Sequence, residues 1–224
     1  MSILNALKNL IFKTSGKKSK AKTISGAIDE ISPSWSAGTG LHSVTLLDAV
    51  SSAEGKYSTA EGYNTLTKSD YSHAEGWASR TIIDTTDLDT HGWASHAEGS
   101  HTIAKGAASH AEGNTTESNA MYSHAEGAGS LSGGTASHAE GNGTVTNNPA
   151  EHAEGSYNKS TPATNSEAKD GTLHSIGIGT SINDRKNAFE VMENGDIFII
   201  GLGGYDGTNP SRATRLQDLI QQEH

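Results

Sequence analysis

Cysteine is absent from this chain, aromatic residues are scarce, and long apolar runs are missing. The lack of cysteine leaves the redox compartment open. Of 224 residues, 33% are hydrophobic and 5% aromatic. That supplies too few large apolar side chains for a conventional globular core of this length, whereas a stack of repeats with a thin interior needs fewer. A single thin roll is marginal by itself, so association of several chains is expected. Positive charge is also short, with 16 Lys and Arg against 26 Asp and Glu and a net charge of -10. A nucleic-acid partner would be repelled over most of such a surface and is not expected. No segment is long and apolar enough to cross a membrane, so no membrane insertion is expected. The opening residues lack the charge, apolar run and small-residue site of a secretory signal, in that order. No nucleophile elbow, phosphate-binding glycine loop or His-Glu-x-x-His is found. The chain is therefore expected not to be an enzyme and to carry no cofactor. Three tryptophans are a weak basis for a sugar-lined groove; for Trp77 and Trp93 local packing is expected over sugar stacking.

What is abundant is glycine, 26 residues in all, and it recurs in a pattern. Ala-Glu-Gly closes at Gly55, Gly62, Gly76, Gly99, Gly113, Gly127, Gly141 and Gly155, in steps of 7, 14, 23, 14, 14, 14 and 14 residues. Fourteen is the period, 7 is half of it, and 23 is one period plus nine inserted residues, placed around Thr81 to Asp89 as an outward loop. Ser-His-Ala-Glu-Gly stands complete from Ser72, Ser95, Ser109, Ser123 and Ser137, and the last copy begins with Glu151. Fourteen residues are too few for two helices and a turn but fit two short strands and two tight turns. The expected fold is all-β, a parallel β-solenoid or β-roll of 14-residue repeats. Strand alternation puts Ser, Ala and Gly of the motif on one face and His and Glu on the other. Gly76, Gly99, Gly113, Gly127, Gly141 and Gly155 are expected to supply the bends.

The organisation expected along the chain is an N-terminal helical arm over 1–34, a capping strand within 35–50, the repeat domain over 51–180, a β-hairpin over 181–204 and a C-terminal elbow and helix over 205–224. In the arm, Ile3, Leu7, Leu10 and Ile11 form an apolar stripe at helical spacing and are the candidate docking residues, followed by Lys17, Lys18, Lys20 and Lys22. A second short helix is expected over Thr23 to Ile31. Gly40 to Val50 should cover the first rung, since a bare solenoid end exposes strand edges. Ser175-Ile-Gly-Ile-Gly179 reads as a copy in which isoleucine replaces both His and Glu, which suggests that this face points inward, to a roll interior or a chain interface. Glu193-Asn194-Gly195 between two apolar runs is a hairpin signal. Ser211 to Gln222 reads as a helix.

The repeated side chains are the pairs His73 and Glu75, His96 and Glu98, His110 and Glu112, His124 and Glu126, His138 and Glu140, and His152 and Glu154. Imidazole and carboxylate together can bind zinc-like ions. Repetition over many rungs is instead the mark of a structural ladder, so neither a catalytic nor a metal role is assigned and the pairs are expected to hydrogen-bond each other in a half-buried layer. Acid should loosen the roll once the imidazoles are charged and the carboxylates neutralised.

The Ser-His-Ala-Glu-Gly copies and Ser175-Ile-Gly-Ile-Gly179 resemble the repeat of trimeric autotransporter adhesin heads. Together with Arg185 to Asp196 and Gly203-Gly-Tyr-Asp-Gly207, they look more like virion fibre and tail proteins of tailed bacteriophages and prophages. The likeness runs from about Ser51 onward. It implies a left-handed β-roll, a homotrimer about a common axis, and a structural role as a head or tail fibre or decoration protein on the virion exterior, made in the bacterial cytoplasm. The arm would then dock on other virion proteins, and the partner at the far end would be a host-surface glycan or protein. The alternatives are a bacterial trimeric surface adhesin and a polysaccharide-degrading tail spike.

Overall fold

A computed structural model describes residues 35–46, 50–82, 93–165, 167–201, 206–208 and 216–221. The chain divides into units 1–35 and 36–224, and the first lies outside the described residues except for Trp35. The expected helices before residue 35 and the insertion loop therefore fall outside them.

The second unit is a parallel β-solenoid of about seven 14-residue turns. Each turn contributes a five-residue strand to one sheet and a two-residue strand to another. The long strands are Thr59–Tyr63, His73–Trp77, His96–Ser100, His110–Asn114, His124–Ala128, His138–Asn142 and His152–Ser156. The short strands, from Ser52–Ala53 through Leu66–Thr67, Arg80–Thr81, Ile103–Ala104, Glu117–Ser118 and Leu131–Ser132 to Val145–Thr146, form a seven-stranded sheet. Register is that of the repeat: His110 faces His96 and His124, and Glu117 faces Ile103 and Leu131. The 7-residue step is explained by Ala53, which lies on the short-strand sheet, half a turn from the long-strand copy at Ala60.

Only small side chains fit between the two sheets. Among the described residues, the buried apolar side chains of the rungs are all alanines, as in the column Ala60, Ala74, Ala97, Ala111, Ala125, Ala139 and Ala153, each 0% exposed. Beside them lie buried serines and threonines whose hydroxyls bond across the interior: Ser118 to Ser123 at 2.6 Å, Ser132 to Ser137 at 2.7 Å, and Thr146 to Ser137 at 2.8 Å. The motif serine also turns back to the carbonyl three residues earlier, Ser72 to Ser69 and Ser137 to Gly134, both at 2.6 Å. An alanine methyl contributes roughly 0.8 kcal/mol of burial, while each ladder hydrogen bond is worth about 1 kcal/mol net and a rung makes several. The backbone ladder thus outweighs the core. His and Glu of the motif point away from the space between the sheets and are half-buried, which corrects the roll-interior half of the expectation: the alanine column fills that space.

The corners of each turn are built from left-handed residues, most of them not glycine. One corner carries Tyr57, Tyr71, Ala94, Ala108, Tyr122, Ala136 and Ala150, and the other Asn64, Ala78, His101, Thr115 and Tyr157, with φ between 41° and 59°. This conformation costs about 1 kcal/mol or more for a residue with a Cβ. A rung-to-rung bond offsets it at each turn, such as Ala108 N–H to Trp93 O at 2.7 Å and Thr115 N–H to Ser100 O at 2.8 Å. The motif glycines have a different reason to be glycine. Gly113 has φ of 101°, and a Cβ there would lie 2.2 Å from the carbonyl oxygen of Gly127 in the next rung.

The nine inserted residues lie among 83–92. Ile82 N–H still bonds Ala104 O at 3.1 Å and Ala94 N–H bonds Asp70 O at 3.0 Å, so the rung is in frame on both sides. Thr81 itself belongs to the strand Arg80–Thr81, not to the insertion.

At the N-terminal end Val44–Leu46 pairs in parallel with Thr59–Tyr63. At the other end Thr172–Ile178 extends the long-strand sheet, then Asn187–Met192 turns it antiparallel and forms a hairpin with Ile197–Ile199. Met192 and Phe198 are its buried apolar pair. Two asparagines replace strands that are not there: Asn158 Nδ2 donates to Val145 O and its Oδ1 accepts from Val145 N–H, while Asn187 does the same with Lys159. Arg185 donates to the carbonyls of Gly143 and Asn158, tying the hairpin to the last rungs. Pairing also corrects the register read for the final copy. His174 sits opposite His152, Ser175 opposite Ala153, Ile176 opposite Glu154 and Gly177 opposite Gly155. Isoleucine therefore replaces only the glutamate, and the histidine is retained two residues earlier. Near the C-terminus the described helix is limited to Leu216–Gln221.

Gly113→Ala is expected to lower unfolding stability by more than about 3 kcal/mol, combining positive φ with a backbone collision. Gly195→Ala, at φ of 88° with nothing within 4 Å, should lose only about 1 kcal/mol. Denaturant unfolding of the two variants checks this, and equal losses would show that the rung contact is not what requires glycine.

Candidate functional site

The outward face of the long-strand sheet carries two side-chain columns. Seven imidazoles, His73, His96, His110, His124, His138, His152 and His174, stack with centroids 4.6 to 5.1 Å apart and planes within 11° of parallel. Phe189 closes the column edge-on, 6.1 Å from His174. In-register pairing imposes this, since a residue repeated every turn in a parallel ladder recurs at the strand spacing of about 4.8 Å. Glu61, Glu75, Glu98 and Glu112 run alongside and, with the motif glycines, line an open groove.

For six of the seven imidazoles the closest carboxylate belongs to the preceding rung, twelve residues earlier in five of them. His73 Nε2 lies 2.9 Å from Glu61 Oε1, and beyond it the distances are 3.6 Å for His110 to Glu98, 3.8 Å for His124 to Glu112, 3.4 Å for His138 to Glu126, 3.7 Å for His152 to Glu140 and 3.5 Å for His174 to Glu154. Within a motif the separation is longer, 3.9 Å for His73 to Glu75 and 4.0 Å for His110 to Glu112. The expected pairing inside each motif is thus replaced by pairing between rungs. Of these contacts the one from His73 to Glu61 is a hydrogen bond. Nε2 of His96, His110, His124, His138, His152 and His174 is buried with no hydrogen-bond partner.

Burial, followed by the positive charge of stacked neighbours, holds His96 and His138 below the ordinary imidazole range, and burial followed by His110 does the same for His124. The glutamates alternate. Hydrogen bonds to flanking carboxyls push Glu98 and Glu126 up to about 7, while the same shared contacts lower Glu75 and Glu112. Glu98 therefore exchanges its proton near neutrality between two carboxyls, Glu75 and Glu112, that are held ionised.

Of the residues expected from the sequence, the twelve His and Glu side chains fall in these two columns and the six glycines beside them. Ile3, Leu7, Leu10 and Ile11 lie outside the described residues. Glu61 and His174 extend the columns at either end. Glu61 was visible as an Ala-Glu-Gly triplet without its histidine, and His174 was masked by the loop over 157–171 that separates it from His152. Glu151, the residue in the motif's serine position, is 1% exposed. Its Oε2 accepts from the backbone N–H groups of Asn147 and Asn148, Asn148 Nδ2 and the Ser160 hydroxyl, and its Oε1 has no partner. Burial pushes this carboxyl up to about 7.

No family model matches the chain, and no curated protein or solved structure matches it either.

The signs of the titrations set two expectations. A lowered imidazole value contributes stability that is present above about 6.5 and lost as pH falls through the folded-state values. The raised Glu98, Glu126 and Glu151 gain stability as pH falls from about 7 to about 4.5 and oppose the imidazoles there, whereas Glu75 and Glu112 add an unopposed loss below about 4.5, so unfolding midpoints should drop between about pH 4.5 and about pH 3. A flat profile over that range would contradict this reading. Raised values act oppositely, with stability present below about 4.5 and lost as pH rises through about 7. Glu98→Gln should therefore be at least as stable as the parent at pH 8, whereas Glu112→Gln should be less stable. For the deeply buried Glu151 the rise to about 7 corresponds to roughly 3 kcal/mol, lost on going to alkaline pH. Glu151→Gln should flatten the stability profile between pH 5 and about pH 8, read by denaturant midpoints across that range.

Proposed function

We propose that this chain is a structural fibre or decoration protein of a tailed-phage virion, acting as a homotrimer that presents a left-handed β-roll toward the host surface. The observation that carries the reading is the composition of the interior. Each rung buries alanine, serine and threonine, and a roll so thin gains little apolar stabilisation from one chain, so further burial has to come from neighbours. Exposed Ile176, Ile178 and Ile182 at the end of the solenoid are apolar surface that a second and third copy would cover. The phage-type repeat and its following segment supply the rest of the reading. In it the N-terminal arm docks on other virion proteins, the shaft projects from the particle, and the chain does no chemistry.

Attachment to a host glycan or protein fits the aromatic display at the corners of the rungs. Tyr57, Tyr63, Tyr71, Trp77, Trp93 and Tyr122 are all more than half exposed. Tyr57 and Tyr71 stack at 5.4 Å and Trp93 meets Tyr71 edge-on at 5.8 Å, giving a rigid apolar strip with polar tips.

Light scattering on the full chain and on a chain lacking the first 22 residues tests the assembly. A trimer is expected for both, with a mass near 70 kDa for the full chain, three times 23.3 kDa. A monomer at micromolar concentration would remove the fibre reading.

A further inference from the structure

The geometry points to a set of transition-metal sites on the outward ladder, each formed between consecutive rungs by two imidazoles and one carboxylate or by two carboxylates and one imidazole. In the groups His110, Glu112 and His124, then His124, Glu126 and His138, then His138, Glu140 and His152, one ligand atom from each residue lies within 4.8 Å of the others. Glu61, His73 and Glu75, and Glu75, His96 and Glu98, form the equivalent groups nearer the N-terminus. The imidazole nitrogens of the three central groups are buried and lack hydrogen-bond partners. An unpartnered buried nitrogen beside a carboxylate is a group that a cation would satisfy.

The size is suitable. Ligand bonds of about 2.0 to 2.2 Å in a tetrahedral site place donors roughly 3.3 Å apart. From within 4.8 Å the donors close to that value when each imidazole tilts out of its near-parallel stack to turn Nε2 toward a shared ion. A divalent cation also offsets repulsion along a column of like charges. No lysine or arginine ion-pairs with a ladder glutamate among the described residues, so no resident cation competes. Two nitrogen donors and one oxygen favour Zn²⁺, Co²⁺, Ni²⁺ and Cu²⁺ over Mg²⁺ and Ca²⁺, which prefer all-oxygen shells.

Stoichiometry follows from chemistry. Nε2 has a single lone pair, so His124 and His138 can each serve one ion although each belongs to two groups. Of the five overlapping groups at most three share no residue, for example those centred on His73, Glu112 and Glu140. A single chain therefore binds three ions, whatever its state of assembly.

The test is calorimetric titration of the full chain with Zn²⁺, accompanied by visible spectra with Co²⁺. Three equivalents are expected for the parent, two for His124→Gln, which breaks two groups at once, and one for His124→Gln with His152→Gln. His101→Gln, at an exposed corner outside the ladder, should keep all three. Co²⁺ should give the intense visible bands of a four-coordinate site, and Mg²⁺ should give no heat. Should the double variant fail to fold by circular dichroism, Glu112→Gln with Glu126→Gln and Glu140→Gln provides the same reduction without touching the imidazole stack. A zinc stoichiometry unchanged by His124→Gln, or a cobalt spectrum that stays that of the hexaaqua ion, would overturn the proposal.

Discussion

The contact on which the solenoid depends is the approach of one glycine to the next glycine's carbonyl in the long strands. Where Gly99 meets Gly113 and Gly113 meets Gly127, a Cβ would stand 2.2 Å from oxygen. That contact holds successive rungs at strand spacing through a stretch of positive φ. The ladders of hydrogen bonds, the alanine column and the stacked imidazoles all inherit their separation from it. Side-chain burial follows from this spacing: the rung interior is filled by alanine, serine and threonine, with larger buried groups such as Glu151 and Asn158 where the array ends.

The period, the two strands per turn and the alternation of faces were legible because each repeats seven or more times and a 14-residue step has few other solutions. The terminal hairpin was legible from Glu193-Asn194-Gly195. Which face points inward was not, because alternation separates Ser and Ala from His and Glu without saying which set is enclosed. The apparent answer from Ile176 and Ile178 depended on aligning serine with serine, and the ladder instead aligns His174 with His152. Hydrogen bonding chose that register, and no local pattern records it. Left-handed corners at tyrosine and alanine were equally invisible, since their stabilisation comes from a carbonyl one rung away.

The candidate site was legible as a list of residues but not as a geometry. Spacing within the motif suggested that a histidine pairs with the glutamate two residues on, whereas the shortest contacts join histidines such as His110 and His138 to the glutamate of the preceding rung. The consequence is that no rung is self-contained: every interior carboxylate lies between two imidazoles, and proton or cation occupancy at one level alters the next.

The insertion after Ile82 bears on how such a molecule can change. Nine extra residues enter at a corner while the hydrogen bonds of Ile82 and Ala94 stay in frame. Pitch and register are thus insensitive to chain length at that corner, in contrast to the glycine positions, where a single methyl collides. The solenoid consequently has permissive joints at its edges and intolerant ones along its strands, so new surface can be spliced in between rungs without redesigning the column that carries it.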